Sequence, residues 1–167
     1  PSSSVTLERL VVDARRSRVG PKEYAYSNLG YSLLGQALAR HSRTTFPRLL
    51  EERLFAPLGM VDSFVPADPR SLPADAPRGY SIMWGRRSAP WTLGAEAPSG
   101  SVRSTLADMT RYLQALLDGT APGASALEPA AVVDGSLRIG YGWHIDQESL
   151  VWHNGMTGGF TSWMSLC

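Results

Sequence analysis

Residues 150–166 read LVWHNGMTGGFTSWMSL. Leu150 to His153 has the β-branched and aromatic content of a strand, Gly158-Gly159 supplies a bend, and Phe160 to Leu166 reads as the strand that follows. His153-Asn154-Gly155-Met156 therefore falls at the end of one strand and before the start of the next. Just upstream, Tyr141 to Ile145 reads as a third strand, joined to Leu150 by the turn Asp146-Gln147-Glu148-Ser149. The C-terminal part of the chain is thus a sheet.

Toward the N-terminus the period changes to that of helices. Leu29, Leu33, Leu34, Ala37 and Leu38 recur at helical spacing over 29–41, with Ser27 or Asn28 as N-cap. His41 falls at that helix's C-terminal end, where a cation suits the dipole. A second helix is predicted from Thr45 to Phe55, with Pro47 in its first turn, a stripe of Leu49, Leu50 and Leu54, and Pro57-Leu58-Gly59 as its stop. In the third, Thr105 to Asp108 forms a capping box, Met109, Leu113, Leu116 and Leu117 give an apolar face, and Gly119 closes it. Residues 66–98 hold six of the twelve prolines together with Trp84 and Trp91. So proline-rich a segment predicts a packed loop, its tryptophans either lining a pocket or, preferably, packing the loop itself.

These elements predict an α/β (α+β) fold: an antiparallel sheet flanked by helices, with a helical lobe facing it. Residues 1–135 would be mostly helical lobe and loops, and 136–167 the sheet strands. The chain opens without an initiator methionine and closes on an apolar, strand-like stretch, so the domain over 1–167 is expected to be partial, incomplete at both ends.

Composition narrows the function. Of 167 residues 43% are hydrophobic and 19% charged, with a formal net charge of +1, which excludes disordered tails and nucleic-acid-binding arms. No apolar stretch approaches the ~20 residues of a membrane helix. The single cysteine, Cys167, allows no internal disulfide and leaves the compartment open. His41, His144 and His153 have no metal-ligand spacing, and no phosphate or dinucleotide loop is present, so neither metal nor cofactor is expected.

Two short segments can carry chemistry, and they hold the only two asparagines. In Tyr26-Ser27-Asn28, an extended backbone would point Tyr26 and Asn28 into one cleft. A phenol can exchange a proton there when neighbours lower its pKa, and an amide can both donate to and accept from a substrate. Read plainly, the same residues are a helix cap and a half-buried aromatic. In His153-Asn154-Gly155-Met156, glycine would let a substrate approach the strand, whose unpaired N–H could donate to an oxyanion. The plain alternative is a glycine-rich hairpin with a solvated histidine. His144, alternating with Trp143, reads as structural.

Taken together and in order, Tyr26-Ser27-Asn28, the helix from Leu29 to Gly35, Pro57-Leu58-Gly59-Met60, Ser104 to Asp108, Tyr141-Gly142-Trp143 and His153-Asn154-Gly155 resemble the serine β-lactamase-like hydrolase superfamily. The similarity runs from about Thr6 to Leu166. It is nearest to the branch of class C β-lactamases, D-alanyl-D-alanine carboxypeptidases and related esterases. The resemblance implies a serine hydrolase that cleaves an ester or amide through an acyl-enzyme. A small-molecule ester, β-lactam or D-amino peptide would be its substrate, and nucleic acid would not be a partner. It implies Tyr26 as general acid/base, Asn28 orienting the substrate carbonyl or amide, and His153 replacing the lysine of Lys-Thr-Gly. The N–H of Met156, after Gly155, would be one oxyanion donor.

One motif departs. The superfamily's Ser-x-x-Lys would need serine at position 19, three before Lys22, the only lysine, but position 19 is valine. The nucleophile is therefore expected outside this segment. The alternative readings are a non-catalytic relative that binds peptidoglycan-like peptides, and an inactive fragment. Because a histidine with pKa near 6.5 is mostly neutral where lysine is cationic, esters or amides without a fixed carboxylate are the expected substrates.

Overall fold

The computed structural model describes residues 5–18, 20–21, 23–81 and 83–167. Val19 and Lys22, on which the absence of Ser-x-x-Lys turns, lie outside the described residues. Helix α1 (Leu7–Arg16) opens the fold, with the Thr6 hydroxyl accepting from the Arg9 N–H at 3.2 Å. The periodicity reading missed this helix, although Leu7, Leu10, Val11 and Ala14 recur at helical spacing opposite Glu8, Arg9, Asp13, Arg15 and Arg16; only Leu10 is buried.

Helix α2 (Asn28–His41) is capped by Ser27, whose Oγ accepts from Gly30 N–H at 2.9 Å. The leucine stripe was expected to face the core, but Ser32, Gly35 and Ala39 are buried while Leu34 and Leu38 are exposed. Spaced by three and four residues, these small side chains form one face that lets the helix approach the turn Ala97–Ser99. Gly35 lies so close to Pro98 that an added Cβ would overlap it.

The second predicted helix divides in two: α3 (Phe46–Leu50), capped by Thr45, continues as a π-helical turn over Glu51–Phe55, with Ala56 N–H reaching Glu51 O at 3.0 Å. Helix α4 (Leu106–Leu117) begins at Thr105, whose side chain accepts from Asp108 N–H at 3.2 Å. The return half of the predicted capping box is replaced. The Asp108 carboxylate accepts instead from Asp62 N–H at 2.9 Å, Ser63 Oγ at 2.8 Å and Arg111 Nη1 at 2.8 Å, tying the helix start to the preceding turn.

The sheet is an antiparallel meander in the order β1 (Ala131–Val132), β2 (Arg138–Ile139), β3 (His144–Ile145), β4 (Val151–Thr157), β5 (Phe160–Leu166). It begins at Ala131 instead of 136. The strand expected over Tyr141–Ile145 shrinks to His144–Ile145, because Gly140 N–H bonds Trp143 O at 2.9 Å and Gly142 has φ +87°, making a turn of the rest. β4 instead runs on through Gly155 and Met156, paired with Ser162 and Thr161 of β5. Ala115 and Leu116 of α4 pack with Ala121, Trp143 and Leu166 to form the core on one face of this sheet.

The proline-rich loop closes over the β4–β5 hairpin tip. Tyr80 N–H donates to Gly159 O at 3.1 Å, Gly159 has φ +85°, and an added Cβ on Gly158 would stand 2.5 Å from the Trp91 ring. Arg103 extends the clamp, its Nη2 donating to Trp91 O at 3.2 Å and its guanidinium lying 5.2 Å from the centre of the Phe160 ring. Trp91 thus packs against the hairpin tip while remaining partly open to solvent, and Trp84 is more exposed still.

Candidate active site

Tyr26 and His153, 127 positions apart, face each other. The extended segment before α2 ends at Ser27, with φ −144° and ψ 103°, so Tyr26 projects off the helix start toward the sheet. Its ring centre lies 6.5 Å from that of His153 on β4, the planes tilted by 34°. Both line an open hollow of about 270 Å³, with Tyr24, Tyr31, Trp143 and His144 among its other walls. None of its described lining residues is a carboxylate, lysine or arginine.

His153 is half-buried, and burial is the main reason its imidazolium is disfavoured. The neighbouring His144, with ring centres 5.6 Å apart, pushes the same way, and the Asn154 backbone opposes both. His153 is therefore held below its ordinary pKa and is a neutral imidazole at pH 7.

Main-chain geometry places the next candidates. Asp146 N–H donates to Leu150 O at 3.1 Å, so the main-chain groups of Leu150 face β3. In an antiparallel strand every second residue turns its N–H and C=O to the same edge, so Asn154 and Met156 present theirs on that edge too. β3 pairs there only with Val151 and Trp152. The Met156 N–H is thus left on the unpaired edge of β4, but neither Gly155 nor Met156 is among the residues lining the hollow. Gly155 shares the face of His153 two residues away, and a Cβ there would stand 3.1 Å from Ser162 Oγ.

Asn28 is placed differently from the expectation. The extended alternation stops at Ser27 and Asn28 is already helical, so its exposed side chain is not among the residues lining the hollow with Tyr26. Its carbonyl accepts from the buried Ser32 hydroxyl at 2.7 Å.

Sequence reasoning did not single out Tyr24 and treated His144 as structural, yet both line the hollow. Tyr24 Oη lies 3.1 Å from His144 Nε2, the rings meeting edge to face at 6.4 Å. The available signal was the position of Tyr24, two residues before Tyr26 in the same extended segment. Among the described residues no group of three or more His, Cys, Asp or Glu could hold a metal, and no helix is long and apolar enough to cross a membrane.

The fold and this juxtaposition define a class: helices and an antiparallel sheet that share one hollow lined mainly by aromatic side chains. Residues 7–167 match the Beta-lactamase family, and the chain belongs to it. Beta-lactamase-like protein 2 of Dictyostelium discoideum is 30% identical over 159 residues, covering 84% of this chain and 28% of that protein. The D-alanyl-D-alanine-carboxypeptidase/endopeptidase AmpH of Escherichia coli (strain K12) is 37% identical over 93 residues, 56% of this chain and 23% of AmpH. Among solved structures, the D-amino acid amidase of Ochrobactrum anthropi SV3 complexed with L-phenylalanine superposes with a TM-score of 0.75 at 27% identity, covering 96% of this chain and 52% of that one. The chain spans about a third or less of the length of the curated relatives it matches.

Proposed function

We propose that this chain carries the Tyr-x-Asn and His-x-Gly half of a serine hydrolase that cleaves an ester or amide through an acyl-enzyme. The observation that carries the reading is the Tyr26–His153 pair, 6.5 Å apart across a hollow with no charged side chain among its described lining residues. In it, Tyr26 relays the proton between the attacking hydroxyl and the leaving group, and the Met156 N–H on the open edge of β4 donates to the developing oxyanion. Asn28, exposed at the start of α2 outside the hollow's lining, orients the part of the substrate that extends beyond the hollow, and Gly155 leaves the strand approachable beside His153. The nucleophile comes from outside these 167 residues, which contain no Ser-x-x-Lys.

A neutral imidazole at position 153 offers no fixed cation to a substrate carboxylate, so the reading favours short acyl esters over penicillins and cephalosporins. The D-amino peptide and β-lactam chemistry in the names of relatives is the alternative substrate class. Comparison of a short-chain p-nitrophenyl ester with a chromogenic cephalosporin, on the full-length polypeptide, tests this. The ester is expected to turn over faster, and faster cephalosporin cleavage overturns the preference. Tyr26→Phe is expected to lower kcat/KM by about 10²–10⁴-fold. A second reading, a ligand-binding relative without catalysis, draws on the same missing Ser-x-x-Lys. Labelling of the full-length protein by a fluorophosphonate probe decides against it.

A further inference from the structure

We infer that Tyr24 and His144 are a positioning pair: their hydrogen bond ties the segment carrying Tyr26 to the sheet beside His153 and so sets the separation of phenol and imidazole. The inference rests on the reading of Tyr26 and His153 given above. Tyr24 Oη and His144 Nε2 are 3.1 Å apart across 120 positions of sequence. Among the described residues it is the side-chain hydrogen bond that joins residues 23–27 to the sheet; the Ser27 hydroxyl is spent on the Gly30 N–H, within α2. The main chain of 24–26 makes no hydrogen bond to a described strand residue. The Tyr24 phenol is thus the polar anchor of this stretch.

The other end of the bond is rigid. His144 pairs with Trp152 in the β3–β4 ladder and stacks on its ring at 4.4 Å, and Trp152 stacks in turn on Trp163 of β5 at 4.7 Å. The imidazole is therefore fixed from the strand side, and Tyr24 closes it from the other. His144 Nδ1 is buried with no partner among the described residues, so Nε2 and the Tyr24 hydroxyl carry the ring's hydrogen bond. The phenol also stays a donor: burial, then Tyr26 and Tyr31, hold it above its ordinary pKa, so it is neutral through the physiological range. With His144 and His153 adjacent, the anchor lies directly beside the imidazole whose distance from Tyr26 it sets.

The test is NMR on the full-length polypeptide, reading the nuclear Overhauser effect between the Tyr26 and His153 rings and the titration midpoint of His153. The titratable groups facing that midpoint are Tyr24 and Tyr26 from the connecting segment, Tyr31 from α2 and His144 from β3. Tyr24→Phe keeps the ring at a position 42% exposed. It is expected to weaken the Tyr26–His153 effect at least about two-fold and to move the midpoint up toward about 6.5, as the phenol segment lifts and the imidazole is wetted. His144→Gln, which keeps an acceptor for the phenol, is expected to retain the ring-to-ring effect while raising the midpoint, because the second imidazole is gone. An unchanged effect and midpoint in Tyr24→Phe overturn the pairing, as does absence of the effect in the unsubstituted chain. Neither readout needs turnover, so a full-length protein that fails to hydrolyse esters sinks the hydrolase reading without touching this one.

Discussion

Asp108 has no exposed surface and accepts from three donors, two of them on the turn at Asp62 and Ser63 and the third on Arg111. Removing the carboxylate deprives the Asp62 N–H of its acceptor and the buried Ser63 hydroxyl, which keeps Ser104 Oγ at 2.7 Å, of one of its two partners, a loss of about 1–3 kcal/mol. Asp108→Ala is therefore expected to speed hydrogen exchange at the Asp62 amide by about 10²-fold, with Ser63→Ala alone doing much less. His153 makes stability depend on pH. Its folded pKa lies below the unfolded value of about 6.5, so the unfolded chain takes up more protons as the pH falls. The stability associated with it is intact above about pH 6.5 and drains away as acid drives the pH down through the folded midpoint. Protection factors of the β4 amides are expected to fall between pH 7.5 and 5.5, and His153→Gln to flatten that fall. A flat profile in the unsubstituted chain would refute the assignment of a depressed pKa.

Between elements, the proline-rich loop clamps the hairpin tip closely. Gly158 abuts the Trp91 ring, and Gly79 stands where an added Cβ would lie 2.6 Å from Gly158 O. Gly158→Ala therefore has to displace the indole, and the β4–β5 amides near Thr157 are expected to lose protection. Trp91→Ala should be harmful by itself yet remove most of the extra cost of Gly158→Ala, giving a coupling of about 0.5–3 kcal/mol in a double-mutant cycle read by hydrogen exchange. This contact also marks where legibility ends. Helix α4 and strand β5 were readable because Thr105, the leucine stripe and the Gly158-Gly159 bend act within one element. The strands β1 and β2 were not, since two residues each carry no period to detect. On α2 the leucines misled: its buried side is set by how closely Pro98 approaches Gly35, which is decided far along the chain. The same holds for the site. Tyr26 and His153 stood out as local motifs, whereas the bond between Tyr24 and His144 exists only once residues 120 positions apart are brought together.

Across the whole molecule, surface outweighs core. A folded chain of 18.1 kDa is expected to expose about 8,000 Å². This one exposes 11630 Å², and Trp163 at 59%, together with Tyr141, Met83 and Leu106, is among its large apolar side chains open to solvent. At about 25 cal/mol per Å² of apolar area, such a deficit in burial removes much of what offsets the conformational entropy of 167 residues. A cooperative domain of this length would unfold with an enthalpy near 115 kcal/mol at about 60 °C. The isolated chain is expected instead to melt broadly, with a van't Hoff enthalpy less than about half of that, and to bind ANS before heating. A single sharp transition near the full enthalpy, without ANS binding, would show that the exposed aromatic face costs the fold nothing.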